Sequence, residues 1–171
     1  MRLRTAPHSP LSGTHDRCSG FLAAYCRGRI GRLEILRAVF GHLLVPDAAW
    51  QEVVEAAADK PGSADIAAAS WIERRTVKDS AWVDLLKHDL GPGEAEAIVL
   101  ARETGADFVL MDERLGRSAA RNLGLRVVGL IGVLIEARKQ GLITDAAEMM
   151  ERLSNEAGFW ISAELRKLVT G

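Results

Sequence analysis

Residues 91–128 read GPGEAEAIVLARETGADFVLMDERLGRSAARNLGLRVV, and the punctuation of this stretch decides the fold. Gly91-Pro92-Gly93 breaks the chain, Glu94 to about Glu103 is rich in helix formers, and Gly105 stands where a left-handed residue ends a helix. Phe108 to Met111 is an apolar run of strand length leading into Asp112. Arg114 to Asn122 predicts a second helix stopped by Gly124, Arg126 to Val128 a short strand, and Leu130 to Arg138 a helix closed near Gly141.

The same alternation extends upstream. Ile30, Leu33, Leu36, Val39 and Phe40 recur at helical steps before Gly41, and His42 to Val45 reads as a buried strand closed by Pro46, which opens a helix from Asp47 to Ala58. Ser63 is the expected cap of a helix through Ile66 to Trp71, Arg74 to Val77 the next strand, and Ser80 the cap of another helix. Downstream, Thr144 caps Asp145 to Leu153 and a last helix covers Ser162 to Leu168. Short strands alternating with helices predict an α/β fold with a parallel sheet covered on both faces. In such folds ligands sit at the carboxyl ends of the strands.

The chain has 171 residues, 48% of them hydrophobic and 26% charged, enough for one domain with its own core. Cys18 and Cys26 form neither a disulfide framework nor a zinc set, so a reducing cytoplasm is the expected location. Phe21 to Cys26 is too short for a secretory core, and Val127 to Ala137 falls far short of a membrane span, so no membrane association is expected. Net charge is −1 but uneven: residues 1–32 carry six arginines against Asp16 alone, leaving sixteen basic and twenty-two acidic residues beyond. Residues 1–28, rich in Gly, Pro, Ser and Arg, read as a mostly irregular basic segment ahead of a domain spanning 29–171.

Three acids fall at strand ends or the helices after them: Glu52, Glu94 and Asp112, with Glu113 beside the last. Clustered carboxylates repel one another and are stabilised by a hard divalent cation such as Mg²⁺ or Mn²⁺, which can activate water against a phosphodiester. The plainer alternative is that Glu94, Glu96, Asp112 and Glu113 only complement helix dipoles and that Glu52 is a solvated face residue. Trp50, Trp71, Trp82 and Trp160 read as packing residues, and Gly91-Pro92-Gly93 lacks the spacing of a nucleotide-binding loop.

Four segments carry a resemblance: Ile30-Gly31-Arg32-Leu33-Glu34-Ile35-Leu36, Val45-Pro46-Asp47-Ala48-Ala49-Trp50-Gln51-Glu52, Gly93-Glu94-Ala95-Glu96-Ala97-Ile98, and Met111-Asp112-Glu113-Arg114 with Gly116-Arg117. In this order, with Glu94 eighteen residues ahead of Asp112, they resemble a bacterial branch of the PIN-like superfamily from about Ile30 onward. The resemblance implies an α/β/α sandwich that cleaves RNA with Mg²⁺ or Mn²⁺, many such proteins being toxins paired with a small antitoxin protein. It assigns Glu52, Glu94 and Asp112 to the metal and to catalysis, with Glu113 and Glu96 as weaker matches. It leaves Arg114 or Arg117 to meet a substrate phosphate, against the alternative of a surface ion pair for each.

The front departs from that pattern. The family is expected to open with a hydrophobic strand ending in an Asp metal ligand followed by Ser-Pro-Leu, about six residues ahead of the first helix by that resemblance. Here Ser9-Pro10-Leu11 lies nineteen residues ahead of Ile30, and Pro7 stands in the Asp position. Asp16 is the only acid before Glu34, and the central strand is either missing or formed by a segment such as Gly20 to Tyr25. The composition change near residue 29 is what an altered reading frame or misassigned start would produce. The expectation is therefore a nuclease impaired at its first ligand, with RNA as substrate. The alternative is a noncatalytic nucleic-acid- or protein-binding regulatory module on the same fold. Phe159-Trp160-Ile161 either packs on the body or joins two protomers in a homodimer.

Overall fold

Gly41 takes φ 73° and its amide closes on Arg37 O at 2.7 Å, ending the first helix where the glycine predicts. That helix, α1, covers Leu33–Phe40 and buries Ile35, Leu36, Val39 and Phe40. The computed structural model describes residues 33–59 and 62–143, positions 148 and 151, and the backbone of 17–19. The helices expected over 145–153 and 162–168 lie outside the described residues, apart from helical positions 148 and 151, as does the Phe159-Trp160-Ile161 contact.

Strand β2 (Leu43–Pro46) is buried at all four positions and runs into α2 (Asp47–Trp50), whose last turn continues as a π-helical turn over Gln51–Glu55. Helix α3 (Ser63–Ala68) starts from Gly62 at φ 90°, while the Ser63 hydroxyl donates to Val54 O at 3.1 Å, so Ser63 anchors the helix without capping it. Strand β3 is Ile72–Arg75, two residues earlier than Arg74 to Val77, because it pairs in register with β2 from Leu43↔Ile72 to Pro46↔Arg75. Asp79 caps α4 (Ser80–Leu86) by accepting the Trp82 amide at 3.1 Å, one residue ahead of the expected Ser80. Then follow α5 (Pro92–Thr104), β4 (Phe108–Leu110), α6 (Arg114–Asn122), β5 (Val127–Val128) and α7 (Leu130–Lys139).

Arg17–Ser19 forms β1, the central strand, which the sequence leaves either missing or in a segment such as Gly20 to Tyr25. All pairings are parallel in the order β3-β2-β1-β4-β5. Side chains alternate across this sheet. Leu43, Val45, Phe108 and Leu110 pack with α1 and α7 on one face, while Leu44, Val109 and Met111 pack with α5 on the other. Helix α5 is buried from Ala97 to Ala101 and belongs to the core rather than to the surface. Truncating a fully buried leucine such as Leu44 or Leu110 to Ala costs about 2–5 kcal/mol.

This is the expected α/β/α arrangement. Connections run one way from β1 through β2 to β3 and the other way from β4 to β5, so the order reverses between β1 and β4. Their carboxyl ends coincide at Ser19↔Leu110, and in open parallel sheets it is in the crevice beyond such a reversal that ligands sit. Among the described residues no helix is long and apolar enough to cross a membrane.

Candidate metal centre

Strand β4 delivers Asp112 to the crevice on a fixed backbone, because the Met111 amide still bonds Val128 O at 3.0 Å and extends the ladder to the residue before it. Asp112 Oδ1 accepts the Leu130 amide at 2.9 Å, satisfying one of the orphan donors at the start of α7. Its Oδ2 is buried with no hydrogen-bond partner. Burial pushes the carboxyl above its ordinary pKa, opposed by the Leu130 amide and the nearby Arg117 guanidinium.

Glu94 lies half-buried in the first turn of α5, and its carboxylate covers Gly116 of α6 beside the Met111 sulfur. A Cβ on Gly116 would overlap both Glu94 Oε1 and Met111 Sδ, so only glycine admits this approach. Glu94 Oε1 is likewise buried without a partner. Its pKa is raised by burial first and then by the charges of Glu113 and Glu52, against a hydrogen bond with the Gly91 backbone.

Glu52 is exposed on the π-helical turn, with Oε2 3.1 Å from where a Cβ would stand on Gly93. The absent Gly93 side chain lets α2 and α5 close up, since that Cβ would also lie 3.3 Å from the Ala49 backbone. Glu113 is exposed at the start of α6, its charge felt by Glu94. Glu96 has another role: its Oε2 accepts the Ala48 amide at 2.7 Å, capping the start of α2 from the neighbouring helix.

The fold thus gathers Glu52, Glu94 and Glu113 as electrostatic neighbours and turns Asp112 toward α7. Among the described residues, no three His, Cys, Asp or Glu side chains converge tightly enough to hold a metal ion. The donors nevertheless fit a hard divalent cation in type. They are carboxylate oxygens, and two of them, Glu94 Oε1 and Asp112 Oδ2, are buried and unpartnered. At the end of β1 no carboxylate follows in sequence: Ser19 leads to Gly20 and Phe21. Asp16 lies outside the described residues and precedes Arg17, which pairs with Phe108 at the opposite end of β4 from Asp112.

The two arginines separate. Arg117 is half-buried, donates from Nη1 to Met111 O at 3.3 Å, and lies so close to Gly129 that a Cβ there would overlap its Nη1 and stand 2.8 Å from Asp112 Oδ1. It is tied to the backbone around Asp112. Arg114 is exposed. Sequence reasoning missed the Leu130 amide and the capping role of Glu96, and it valued Gly116 only as part of a motif. Glycines in the pairs Gly116-Arg117 and Gly129-Leu130 were the available signal of close approach.

Comparison with curated proteins gives no match. Residues 28–170 match the family DUF3368, a PIN domain. The matched region begins beyond β1 and includes Glu52, Glu94, Asp112 and Glu113. With the family matched over most of its length and a parallel α/β sheet beneath the match, the chain belongs to the PIN-domain family.

Proposed function

We propose that the chain is a ribonuclease dependent on Mg²⁺ or Mn²⁺, with Glu94 and Asp112 as principal metal ligands and Glu52 and Glu113 completing the acidic wall. The observation that carries this reading is the pair of buried, unpartnered oxygens, Glu94 Oε1 and Asp112 Oδ2, beside the reversal point of the sheet. When bound, such a cation supplies a lowered water pKa and offsets charge at a phosphodiester. The protein's own contribution is orientation. The Leu130 amide holds Asp112 by one oxygen, Gly116 admits the Glu94 carboxylate, and Arg117 places positive charge behind Asp112.

The lack of a carboxylate after β1 lowers the activity of this chain relative to one that carries it. The physiological role proposed is that of a cytoplasmic toxin acting on RNA and held in check by a small antitoxin protein. A second reading, a noncatalytic nucleic-acid- or protein-binding regulatory module, is favoured by that same missing carboxylate and by the looseness of the acidic cluster.

The test is cleavage of a mixed RNA pool with Mn²⁺ by the full chain, by Asp112→Asn, and by Gly20→Asp, which restores an acid directly after β1. Cleavage by the chain that Asp112→Asn abolishes and Gly20→Asp increases supports the nuclease. Silence in folded wild type and Gly20→Asp alike moves the assignment to the binding module.

A further inference from the structure

Helix α6 leaves the metal crevice directly after Asp112 and carries Arg114, Arg117 and Arg121 at steps of three and four, which places them on one face. The sequence of the helix, RLGRSAARN, contains no acid. Its inner side is made by Gly116 and Ala120, both buried, while Arg114, Leu115, Ser118, Arg121 and Asn122 are exposed. Arg117, at the crevice end, is engaged by Met111 O and Asp112. The guanidinium groups of Arg114 and Arg121 make no ion pair or hydrogen bond among the described residues.

Other arginines of the domain are engaged differently. Arg74 meets Asp47 and Glu55, Arg75 meets Glu73, Arg126 meets Asp107 and covers the Phe108 ring, and Arg102 stacks on Trp82. Two unpaired cations seven residues apart on a rigid helix span about 10 Å. They form a ridge that begins beside the metal crevice and points away from it. Leu115, next to Arg114 on this helix, is 65% exposed and adds an apolar surface beside the ridge.

We infer that Arg114 and Arg121 form a track for the phosphate backbone of single-stranded RNA flanking the phosphodiester held at the acidic crevice. This rests on the ribonuclease reading for the position of that phosphodiester, but the binding itself requires no cleavage. A basic ridge whose helix carries no acid beyond Glu113 at its crevice end is suited to repeated negative charge, and its adjacency to the crevice favours the strand being processed over a separate protein ligand.

The experiment is fluorescence anisotropy of a short labelled single-stranded RNA with the full chain in EDTA, across a salt series. The variants are Arg114→Gln/Arg121→Gln, Arg114→Lys/Arg121→Lys, and the exposed α4-end control Lys87→Gln. The double Gln variant is expected to bind more weakly, with the slope of log affinity against log salt reduced by about 1.4, about 0.7 for each phosphate no longer neutralised. The double Lys variant should keep the slope and the Lys87 control should not change it.

An unchanged slope in a folded double Gln variant overturns the track even if RNA is cleaved, and so does absence of RNA binding by the wild type. Arginine-dependent binding without Mn²⁺-dependent cleavage keeps the track and removes the nuclease. Arginine-dependent capture of polyglutamate with no binding of RNA overturns the RNA assignment in favour of an acidic protein segment.

Discussion

Asp112 and Leu130 are joined by a single 2.9 Å hydrogen bond from the Leu130 amide to Asp112 Oδ1, which fixes the carboxylate while leaving Oδ2 buried and unpartnered. One oxygen serves the fold, and the other is the one proposed to meet a cation. Asp112→Asn keeps an acceptor for the amide while removing the charge that burial disfavours. The metal-free variant is therefore expected to be more stable than wild type by about 0.5–2 kcal/mol, the usual gain from a single stabilising substitution. For a domain of this size each kcal/mol raises Tm by about 2–4 °C, measurable by thermal unfolding in EDTA. A lower Tm would show that the carboxylate charge is structural.

Burial places the Asp112 and Glu94 carboxyls above their ordinary pKa values, so the folded state binds more protons than the unfolded chain between the ordinary value and the raised one. Their contribution to metal-free stability falls as pH rises through that window and is level above it. Asp47 and Glu73, lowered chiefly by hydrogen bonds from Arg74 and Arg75, act in the opposite sense: their stabilisation is present above the ordinary carboxylate value and is lost as pH falls through the lowered one. The difference between wild type and Glu94→Gln in denaturant titrations isolates the first effect. The gap in favour of the variant should widen as pH rises through the window, and a gap that narrows contradicts the assignment.

Gly116→Ala brings a methyl group onto Glu94 Oε1 and the Met111 sulfur. Overpacking of this kind costs about 1–3 kcal/mol. Because the displaced group is a proposed ligand, Mn²⁺ affinity should fall with stability, whereas exposed Ser118→Ala in the same helix should change neither. Chemical denaturation and metal titration on the same samples separate the two effects.

Glu96 tests the distinction between a ligand and a cap. Glu96→Ala removes the acceptor for the Ala48 amide and should cost about 1 kcal/mol, while Glu96→Gln retains an acceptor and most of the stability. Neither should weaken Mn²⁺ binding by more than the loss of folded protein. A specific loss of Mn²⁺ binding in Glu96→Gln would make Glu96 a ligand.

Where local chemistry was strong, the sequence was readable in detail. The helix over Arg114–Asn122 is bounded as expected because a post-strand turn precedes it and Gly124, at φ 78°, follows it. Where a structure depends on distant partners it was not. Arg17–Ser19 has no strand pattern of its own and is a strand only through pairing with β2 and β4. Strand β3 buries Ile72 alone, so nothing in its hydropathy marked the register that β2 imposes. The places of Glu52, Glu94, Asp112 and Glu113 near helix starts and a strand end were legible. Their division was not, because Asp112 turns toward an amide eighteen residues later and Glu94 toward a glycine on another helix.

Everything proposed for the crevice between β1 and β4 depends on Glu94 and Asp112 holding a divalent cation there. Isothermal titration of Mn²⁺ into the full chain, beside Asp112→Asn and Glu94→Gln, decides whether they do. Saturable binding by the wild type is expected, abolished by either substitution while the protein remains folded. Absence of saturable binding in the wild type, or equal binding by both variants, would contradict the metal assignment and leave these carboxylates as helix-start residues of a binding domain.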